Sequence, residues 1–393
     1  MTGGIVVRRA APAAALVLGL ACLTSCGSHP GPAADRATAT TAAAAPAGSG
    51  SAASGAPSDP AAPSDSAAAG GAPAAAAGGT ITVAFAGDVH FEGRTASRLV
   101  GGPDTALGPI SRTLAAADLA VLNLETAITG RGAPEPKTYT FRTSPKALQT
   151  LHDAGVDVVS LANNHAVDFG AAGLADTLAA KASSPIPVVG FGRNAEEAYA
   201  PYVTTVKGVK VAVLAASQVQ DLTNQKWRAG SSKPGIASAL DPAALLRAVT
   251  EARRQAPVVL VYLHWGEEGH TCPTGAQTDL ARKLSAAGAT AVVGTHAHTM
   301  LGSGMLGDTY VAYGFGNFLW YGTSNYTDSD ETGVTTLTLS GDGRTVGERF
   351  TPAHIDKRGV PVPQSGAAAT AAQHRRDRLR TCTGLAPAPA ARD

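Results

Sequence analysis

Short polar motifs that follow apolar, strand-like runs carry the side chains of this chain that could bind divalent metals. Carboxylate, imidazole and amide groups are the donors that hold such ions, and they are costly to bury without a partner. Five such motifs within one domain predict one shared site, which would hold two metal ions and bind or cleave a phosphate-like or carboxylate-rich substrate. The motifs are Gly87-Asp88-Val89-His90, Asn123-Leu124-Glu125, Asn163-Asn164-His165, His264-Trp265-Gly266 and Gly294-Thr295-His296-Ala297-His298.

Two of these motifs carry ligand-type residues two positions apart. An extended backbone directs such residues to the same face, so Asp88 and His90 can reach one ion. The same spacing joins His296 and His298. Taken singly, each motif also has an ordinary structural interpretation, such as a surface pair, a polar loop or a satisfied core histidine. Their order along the chain and their recurrence after apolar runs favour a metal site.

Two metal ions about 3.5–4 Å apart can activate a water and stabilise the oxyanion that forms during hydrolysis. In such a site His165 would act as the general acid, with Asp168 as the residue that orients it. Oxygen and nitrogen donors without a thiolate suit Mn²⁺, Fe, Mg²⁺ or Zn²⁺, and the sequence does not choose among them.

The residues between the motifs predict a scaffold in which strand ends meet. Apolar runs at residues 81–86, 119–122, 156–161, 209–215, 258–263 and 290–293 alternate with helical stretches, which predicts an α/β fold with buried sheets. Open α/β sheets bind ligands at the carboxyl ends of their strands, where these motifs lie. After residue 309 the pattern changes to strands joined by turns, which predicts an antiparallel portion.

In their order the motifs resemble the calcineurin-like metallophosphoesterases and, more closely, the CapA-type family of poly-γ-glutamate capsule synthesis proteins. The resemblance covers residues 81–356 and rests also on Asp168, Gly170, Glu268 and the segment Tyr313-Gly314-Phe315-Gly316-Asn317-Phe318. It implies a four-layer α/β/β/α sandwich of the metallophosphoesterase type, with mixed sheets and a dinuclear metal site at the sheet edge.

The resemblance also implies a role for each site residue. One ion would be bound by Asp88, His90 and His298, and the other by Asn164, His264 and His296. Glu125 would bridge the two ions, and His165 would face the substrate. The wider superfamily usually has an aspartate as the bridge, so the longer Glu125 leaves phosphatase activity open.

Two functions of different classes remain open. The first is a membrane-anchored, extracytoplasmic metal-dependent hydrolase that acts in the synthesis or processing of a capsule or envelope polymer such as poly-γ-glutamate. The second is a non-catalytic accessory subunit of a membrane polymer synthase, which binds or exports the polymer. In a loop near the site, Lys137 and Arg142 could bind an anionic polymer or phosphoester; the alternative is a solvated basic loop, and a third function would use this surface alone.

The first residues predict export. Arg8 and Arg9 precede a short apolar stretch, and Leu23-Thr24-Ser25-Cys26 resembles the bacterial lipoprotein cleavage box. We therefore expect residues 1–26 to be a signal peptide with Cys26 as the lipidation site, which would anchor the protein to the outer face of the cell membrane. Ordinary secretion with cleavage elsewhere is the alternative. Residues 27–79, almost wholly Ala, Gly, Pro, Ser and Thr, predict a disordered tether.

Residues 80–360 are long enough for one substantial domain, followed by a loosely ordered tail at 361–393. An exported protein can pair Cys272 with Cys382 in a disulfide that fastens this tail; the alternative is Cys272 as a ligand or nucleophile. The formal net charge of the 393 residues is +1, which predicts no nucleic-acid partner.

Overall fold

The computed structural model of the chain describes residues 79–100, 106–321 and 326–391. The predicted signal peptide with Cys26, and all of the predicted tether except its last residue, lie outside the described residues. Within them, no helix is both long and apolar enough to cross a membrane.

Strands and helices alternate through most of these ranges. The strands are β1 (Thr80–Val89), β2 (Leu119–Leu124), β3 (Ala127–Ile128), β4 (Arg142–Thr143), β5 (Val158–Ser160), β6 (Val188–Val189), β7 (Phe191–Gly192), β8 (Tyr202–Val206), β9 (Val209–Ser217), β10 (Gly235–Ile236), β11 (Val258–Trp265), β12 (Ala291–His296), β13 (Ser303–Leu306), β14 (Thr309–Ala312), β15 (Asn317–Leu319), β16 (Glu331–Ser340), β17 (Thr345–Ile355) and β18 (Pro361–Pro363). The α-helices are α1 (Ser111–Ala115), α2 (Lys146–Asp153), α3 (Gly170–Ala182), α4 (Ala195–Tyr199), α5 (Leu222–Trp227), α6 (Ala243–Gln255), α7 (Gly275–Ala286) and α8 (Gly366–Leu379). Short 3-10 helices cover Gly93–Leu99, Gly108–Ile110 and Arg380–Cys382.

Two large mixed sheets form the centre of the fold. The first has the order β18-β17-β16-β1-β2-β5-β6, and β15 also pairs with β1. In it β1, β2, β5 and β6 are parallel, whereas β16, β17 and β18 form the antiparallel portion predicted near the C-terminus. The second sheet has the order β13-β14-β12-β11-β9-β8, with β9, β11, β12 and β14 parallel.

Alternating side chains on the central strands build three apolar layers. Ile81, Val83 and Phe85 of β1 point between the sheets, where they join residues of β9, β11 and β12. Ala84 and Ala86 point the other way, into a core shared with helices α1, α2 and α3. On the far side, β9, β11 and β12 pack against helices α6 and α7. Because an extended strand presents successive residues to opposite faces, both sheets are covered on both sides. The predicted four-layer α/β/β/α sandwich is confirmed.

The C-terminal tail corrects one expectation. Loose order was predicted for residues 361–393 because Ala, Pro and Arg dominate them, but the structure has β18 and the helix α8 there. Arg376 of α8 is buried and donates hydrogen bonds to Ser303 and Tyr310 and, as half of an ion pair, to Glu348. One long basic side chain thus fastens the tail to both sheets, a contact that composition alone does not reveal.

The predicted disulfide between Cys272 and Cys382 is confirmed. It joins the 3-10 helix that follows α8 to the loop that follows β11. Cys272 is therefore unavailable as a metal ligand or nucleophile while the bridge is intact.

Candidate metal centre

The predicted ligands meet where the parallel strands of both sheets end. Asp88 and His264 are the next-to-last residues of the strands β1 and β11. His296 is the last residue of β12, and Glu125 directly follows β2. Their donor atoms form two buried groups, Asp88–Glu125–His298 and Glu125–His264–His296, within each of which all donor atoms lie within 4.8 Å of one another. Glu125 belongs to both groups, the position expected of a bridging ligand.

Glu125 is fully buried, and neither of its carboxylate oxygens accepts a hydrogen bond from the residues that the structure describes. Its Oε1 lies 3.4 Å from Nε2 of His264 and 3.8 Å from Nε2 of His165. Burial raises the pKa of Glu125 to about 7, because a desolvated carboxylate favours its neutral form. A buried carboxylate without a partner is costly, so this position calls for a cation.

Asp88 is fixed by donors from two sheets. Its Oδ1 accepts a hydrogen bond of 2.8 Å from the side-chain amide of Asn123, which lies opposite it in the β1–β2 register. Its Oδ2 accepts from the backbone N–H of His296 at 3.1 Å. Burial and, next, the charge of Glu125 raise the pKa of Asp88 to about 6. Both carboxylates therefore pay a desolvation cost that a bound cation would offset.

His264 and Asn164 face each other across the sheet edge. Nε2 of His264 lies 2.8 Å from Oδ1 of Asn164, and Nδ1 lies 3.1 Å from the hydroxyl of Thr295. Burial lowers the pKa of His264 to about 4, so the ring is neutral, which is the form that binds metals. Since a divalent ion binds such donors at about 2.0–2.2 Å, two donors on one ion lie about 3 Å apart, and this pair fits that spacing.

His296 and His298, the last two histidines of the motifs, have strained backbones. His296 has φ 99° and His298 has φ 57°, both in the left-handed region that non-glycine residues rarely occupy. Such residues cost of order 1–3 kcal/mol each and cluster at functional sites. Nδ1 of His296 is buried and has no hydrogen-bond partner among the described residues, whereas Nδ1 of His298 lies 2.9 Å from Oδ1 of Asn317.

His165 and Asp168 form a hydrogen-bonded pair at the side of the metal-ligand groups. Nδ1 of His165 lies 2.5 Å from Oδ2 of Asp168, which leaves Nε2 on the side of Glu125. The ring of Phe141 stacks on His165 with centroids 4.1 Å apart. Burial lowers the pKa of His165 well below its usual value. The pair therefore presents an oriented imidazole nitrogen to whatever binds beside Glu125.

His90 lies next to these residues but joins none of the ligand groups that the described residues form. Its Nδ1 faces the backbone N–H of Glu92 at 3.1 Å, and its Nε2 faces that of Tyr321 at 3.3 Å. The ring is enclosed by Phe141, Trp320 and Tyr321. Its role as a ligand stays a prediction, one that would require the ring to leave these backbone contacts.

Lys137 and Arg142 take different positions. Lys137 reaches into the site, where its ammonium contacts Asp168 at 2.7 Å. Arg142 is exposed, and its guanidinium lies 3.8 Å above the ring of Phe169. The structure thus places one of the two predicted substrate-binding cations at the His165–Asp168 pair and the other on the surface.

A family model described as bacterial capsule synthesis protein PGA_cap matches residues 82–321. The chain belongs to this family. The resemblance read from the motifs is therefore confirmed.

Named relatives agree with this assignment. PGA biosynthesis protein CapA of Bacillus subtilis (strain 168) is 29% identical over 245 residues, which cover 61% of this chain and 63% of that protein. A probable polyglutamine synthesis accessory protein of Mycobacterium tuberculosis (strain CDC 1551 / Oshkosh) is 31% identical over 192 residues, or 47% of this chain and 50% of the relative. The chain thus spans between half and two thirds of the length of these relatives.

Among solved structures, a novel phosphatase from Mycoplasma pneumoniae matches with a TM-score of 0.45 and 13% identity, over 75% of this chain and 97% of that one. The activity in that description is a statement about the Mycoplasma protein alone.

The residues of the site fit divalent cations. Two buried carboxylates, three imidazoles and an amide oxygen supply only oxygen and nitrogen donors, and Glu125 and His296 have buried donor atoms without partners in the described part of the chain. A third ligand group, Glu268–His296–His298, extends from this centre to the surface through the exposed Glu268. The number and identity of the ions stay predictions.

Three asparagines beside the ligands hold them in place, and the motifs alone do not predict this role. Asn123 binds Asp88, Asn317 binds His298, and Asn163 donates hydrogen bonds to Asn123 and to the carbonyl of Leu124. Their positions beside the ligands were the available signal. A side-chain amide next to a ligand offers both a donor and an acceptor, which suits it to orient that ligand.

Proposed function

We propose that this protein is a metal-dependent hydrolase that acts on an anionic polymer, of the poly-γ-glutamate type, during the synthesis or processing of a capsule or envelope. The observation that carries the proposal is the position of Glu125, a fully buried carboxylate without a hydrogen-bond partner among the described residues. It is shared by two ligand groups and lies 3.8 Å from the His165 ring that Asp168 orients.

In this proposal Asp88, Glu125 and His298 would hold one ion, and Glu125, His264 and His296 would hold the other with Asn164. When bound, the ions activate water and neutralise negative charge that develops on the substrate. The neighbouring amides of Asn123 and Asn317 fix the directions of Asp88 and His298. The protein thereby keeps its ligands preorganised in a site from which bulk water is largely excluded.

The His165–Asp168 pair supplies the proton chemistry. Asp168 accepts the Nδ1 proton of His165, so Nε2 is the nitrogen that can exchange a proton with the substrate. Stacking on Phe141 restricts rotation of the ring. Since Nε2 faces Glu125, a group bound at the ligand groups would lie within reach of this nitrogen. The neutral ring holds its one proton on Nδ1, so Nε2 first accepts a proton, as from an attacking water, and can then donate it to the leaving group.

Charge and the names of the relatives support this substrate class. Cations at the site would attract carboxylate or phosphoryl groups, and the relatives carry the names of PGA biosynthesis and polyglutamine synthesis proteins. A glutamate polymer offers an amide bond to hydrolyse beside a carboxylate that the ions can bind. A phosphoester likewise offers an ester bond to hydrolyse beside phosphoryl oxygens that the ions can bind.

The test uses the purified full-length chain, supplied with Mn²⁺, Zn²⁺ or Mg²⁺ and assayed on polyglutamate and on simple phosphodiesters. We expect turnover in the wild type, and a loss of about 10²-fold or more in His165→Gln without a change in metal content. The matched control is His152→Gln, because the His152 side chain is 51% exposed. Full turnover in His165→Gln would remove the proton-transfer role.

A second candidate function is a non-catalytic accessory subunit of a polymer synthase. The burial of the centre favours it, since Glu125 and His264 are 0% exposed and Phe141 covers His165, which restricts access by a polymer. In this case the metal-loaded chain would bind polyglutamate and hydrolyse neither class of substrate. Binding measured by sedimentation, alongside the turnover assay, separates the two functions.

We also propose that the protein is a lipoprotein anchored through Cys26 to the outer face of the membrane. The support is the basic, apolar and Leu23-Thr24-Ser25-Cys26 pattern of the first residues. Phase partition of cell extracts in detergent should place the wild type with the detergent and Cys26→Ala in the aqueous phase. Equal partition of both proteins into detergent would contradict this anchor.

A further inference from the structure

The ammonium of Lys137 is held inside the protein. Its Nζ donates to the backbone carbonyl of Asn164 at 2.5 Å and to Oδ1 of Asp168 at 2.7 Å. Oδ2 of Asp221 lies 3.8 Å away, and only 13% of the Lys137 side chain is exposed. The ammonium therefore already donates to acceptors of the protein itself, which leaves it poorly placed to bind a carboxylate of a substrate.

The charge and the orientation of the Asp168 carboxylate depend on the Lys137 ammonium. The carboxylate is buried, and burial raises its pKa to about 6; the charge of Lys137 is the largest influence that opposes the rise. Its other oxygen, Oδ2, accepts from the backbone N–H of Phe141 at 2.8 Å and faces Nδ1 of His165. Without Lys137, one carboxylate oxygen would lose its partner and the carboxylate would lose its nearest cation.

We propose that Lys137 is a positioning residue, which keeps Asp168 charged and aimed at His165, rather than a substrate-binding cation. Because an ionised Asp168 accepts the Nδ1 proton, it sets the tautomer and the plane of the His165 ring. The same ammonium also binds the carbonyl of Asn164, so it fixes the His165–Asp168 pair relative to a predicted metal ligand. The kinetic part of this proposal rests on the proposed hydrolase function.

The test compares Lys137→Met with Lys137→Cys, before and after treatment with bromoethylamine. The reagent forms a thioether at the cysteine and restores an ammonium at nearly the length of lysine. Wild type treated in the same way controls for modification elsewhere, and Lys146→Met is the matched variant because Lys146 is exposed. Thermal melting and metal content show whether each variant is folded and loaded.

On polyglutamate, we expect kcat of Lys137→Met to fall roughly ten- to hundred-fold while KM stays within about twofold. Aminoethylation of Lys137→Cys should restore most of the lost kcat. A raised KM with an unchanged kcat would instead assign Lys137 to substrate binding and overturn the proposal.

A readout that needs no turnover separates this proposal from the hydrolase function. The short hydrogen bond between His165 and Asp168 should give a downfield proton resonance, which His165→Gln removes and thereby assigns. We expect Lys137→Met to lose this resonance and aminoethylated Lys137→Cys to regain it. If the resonance persists in Lys137→Met, the proposal is wrong; if wild type shows the resonance and its dependence on Lys137 but hydrolyses nothing, the hydrolase function alone fails.

Discussion

The backbone N–H of His296 donates a hydrogen bond of 3.1 Å to Oδ2 of Asp88. His296 ends β12 of the second sheet, and Asp88 belongs to β1 of the first, so this bond joins the two sheets at the metal centre. The donor is a residue whose own backbone is strained, with φ 99°. One bond thus relates a predicted ligand on each sheet and fixes their separation.

Asp88→Asn should weaken metal binding and stabilise the metal-free protein. Burial and the charge of Glu125 raise the pKa of Asp88 from 3.8 to about 6, which corresponds to roughly 3 kcal/mol above pH 6. An amide avoids this cost, and its oxygen still accepts from the N–H of His296, although its –NH2 group then faces the donor amide of Asn123 and lowers the net gain below this figure. Denaturation in a chelator at pH 8 should show the gain, and metal analysis should show the loss. If the metal-free Asp88→Asn variant is less stable than the metal-free wild type, burial beside Glu125 does not destabilise the ionised Asp88.

Comparison of Glu125→Gln with the wild type should show that the Glu125 carboxyl group titrates at a raised pKa in the folded protein. The folded-state pKa of Glu125 is raised from 4.5 to about 7, so the metal-free wild type loses stability as pH rises through this interval, while the variant does not. The buried histidines, whose pKa values are lowered, act in the opposite direction in both proteins, so the informative quantity is the difference between them.

For this pair we expect the free energy of unfolding of Glu125→Gln to exceed that of the wild type by about 1 kcal/mol at pH 5 and about 3 kcal/mol at pH 8 in chelator. Urea denaturation at the two pH values measures it. A difference that is constant with pH would show that Glu125 titrates normally. Excess Zn²⁺ or Mn²⁺ should reverse the order, because the ions need the carboxylate.

Removal of the disulfide should destabilise the fold without changing the metal centre. Cys272 and Cys382 are 110 residues apart in sequence, and the chain-entropy model assigns about 4–5 kcal/mol to a loop of this length, with measured values often lower. Denaturation of Cys272→Ser/Cys382→Ser should show a loss in this direction, and a reductant should then have no further effect. An undiminished free energy of unfolding would mean that α8 alone holds the tail.

The buried arginine of α8, Arg376, should be more important for stability than its half-buried neighbour Arg375. Arg376→Met leaves Glu348 as an unpaired, largely buried charge, which typically costs about 3–5 kcal/mol. Arg375 pairs with Glu331 at a more exposed position, so Arg375→Met should cost about 1 kcal/mol or less. The double variant Arg376→Met/Glu348→Gln should recover part of the loss. Equal effects of Arg375→Met and Arg376→Met would contradict this account of the tail.

The sequence was sufficient to predict the layered fold and the convergence of the motifs. Apolar runs with strand periodicity, separated by helices, define parallel strands, and parallel strands bring their carboxyl ends to one edge. Asp88, Glu125, His264, His296 and His298 could therefore be grouped before their positions were known. The antiparallel portion near the C-terminus could be predicted from turn residues such as those in Ser340-Gly341-Asp342-Gly343.

Other features depend on contacts that no local pattern encodes. The position of Lys137 beside Asp168 arises because a loop folds back over the strand ends, and Lys137 alone resembles a solvated basic residue. The enclosure of His90 by Trp320 and Tyr321 joins residues more than 200 positions apart. The order of the tail depends on one arginine that reaches both sheets, which an Ala- and Pro-rich composition conceals.

Metal analysis of the purified protein decides whether the residues around Glu125 bind metal ions. After incubation with Mn²⁺, Fe²⁺, Zn²⁺ or Mg²⁺ and removal of free ions, we expect about two ions per chain for at least one of these metals. We also expect a clear loss of metal in Glu125→Gln and none in His152→Gln. A wild-type chain that retains no ion under any of these conditions, or a Glu125→Gln variant that retains the full content, would show that these residues do not form a metal site.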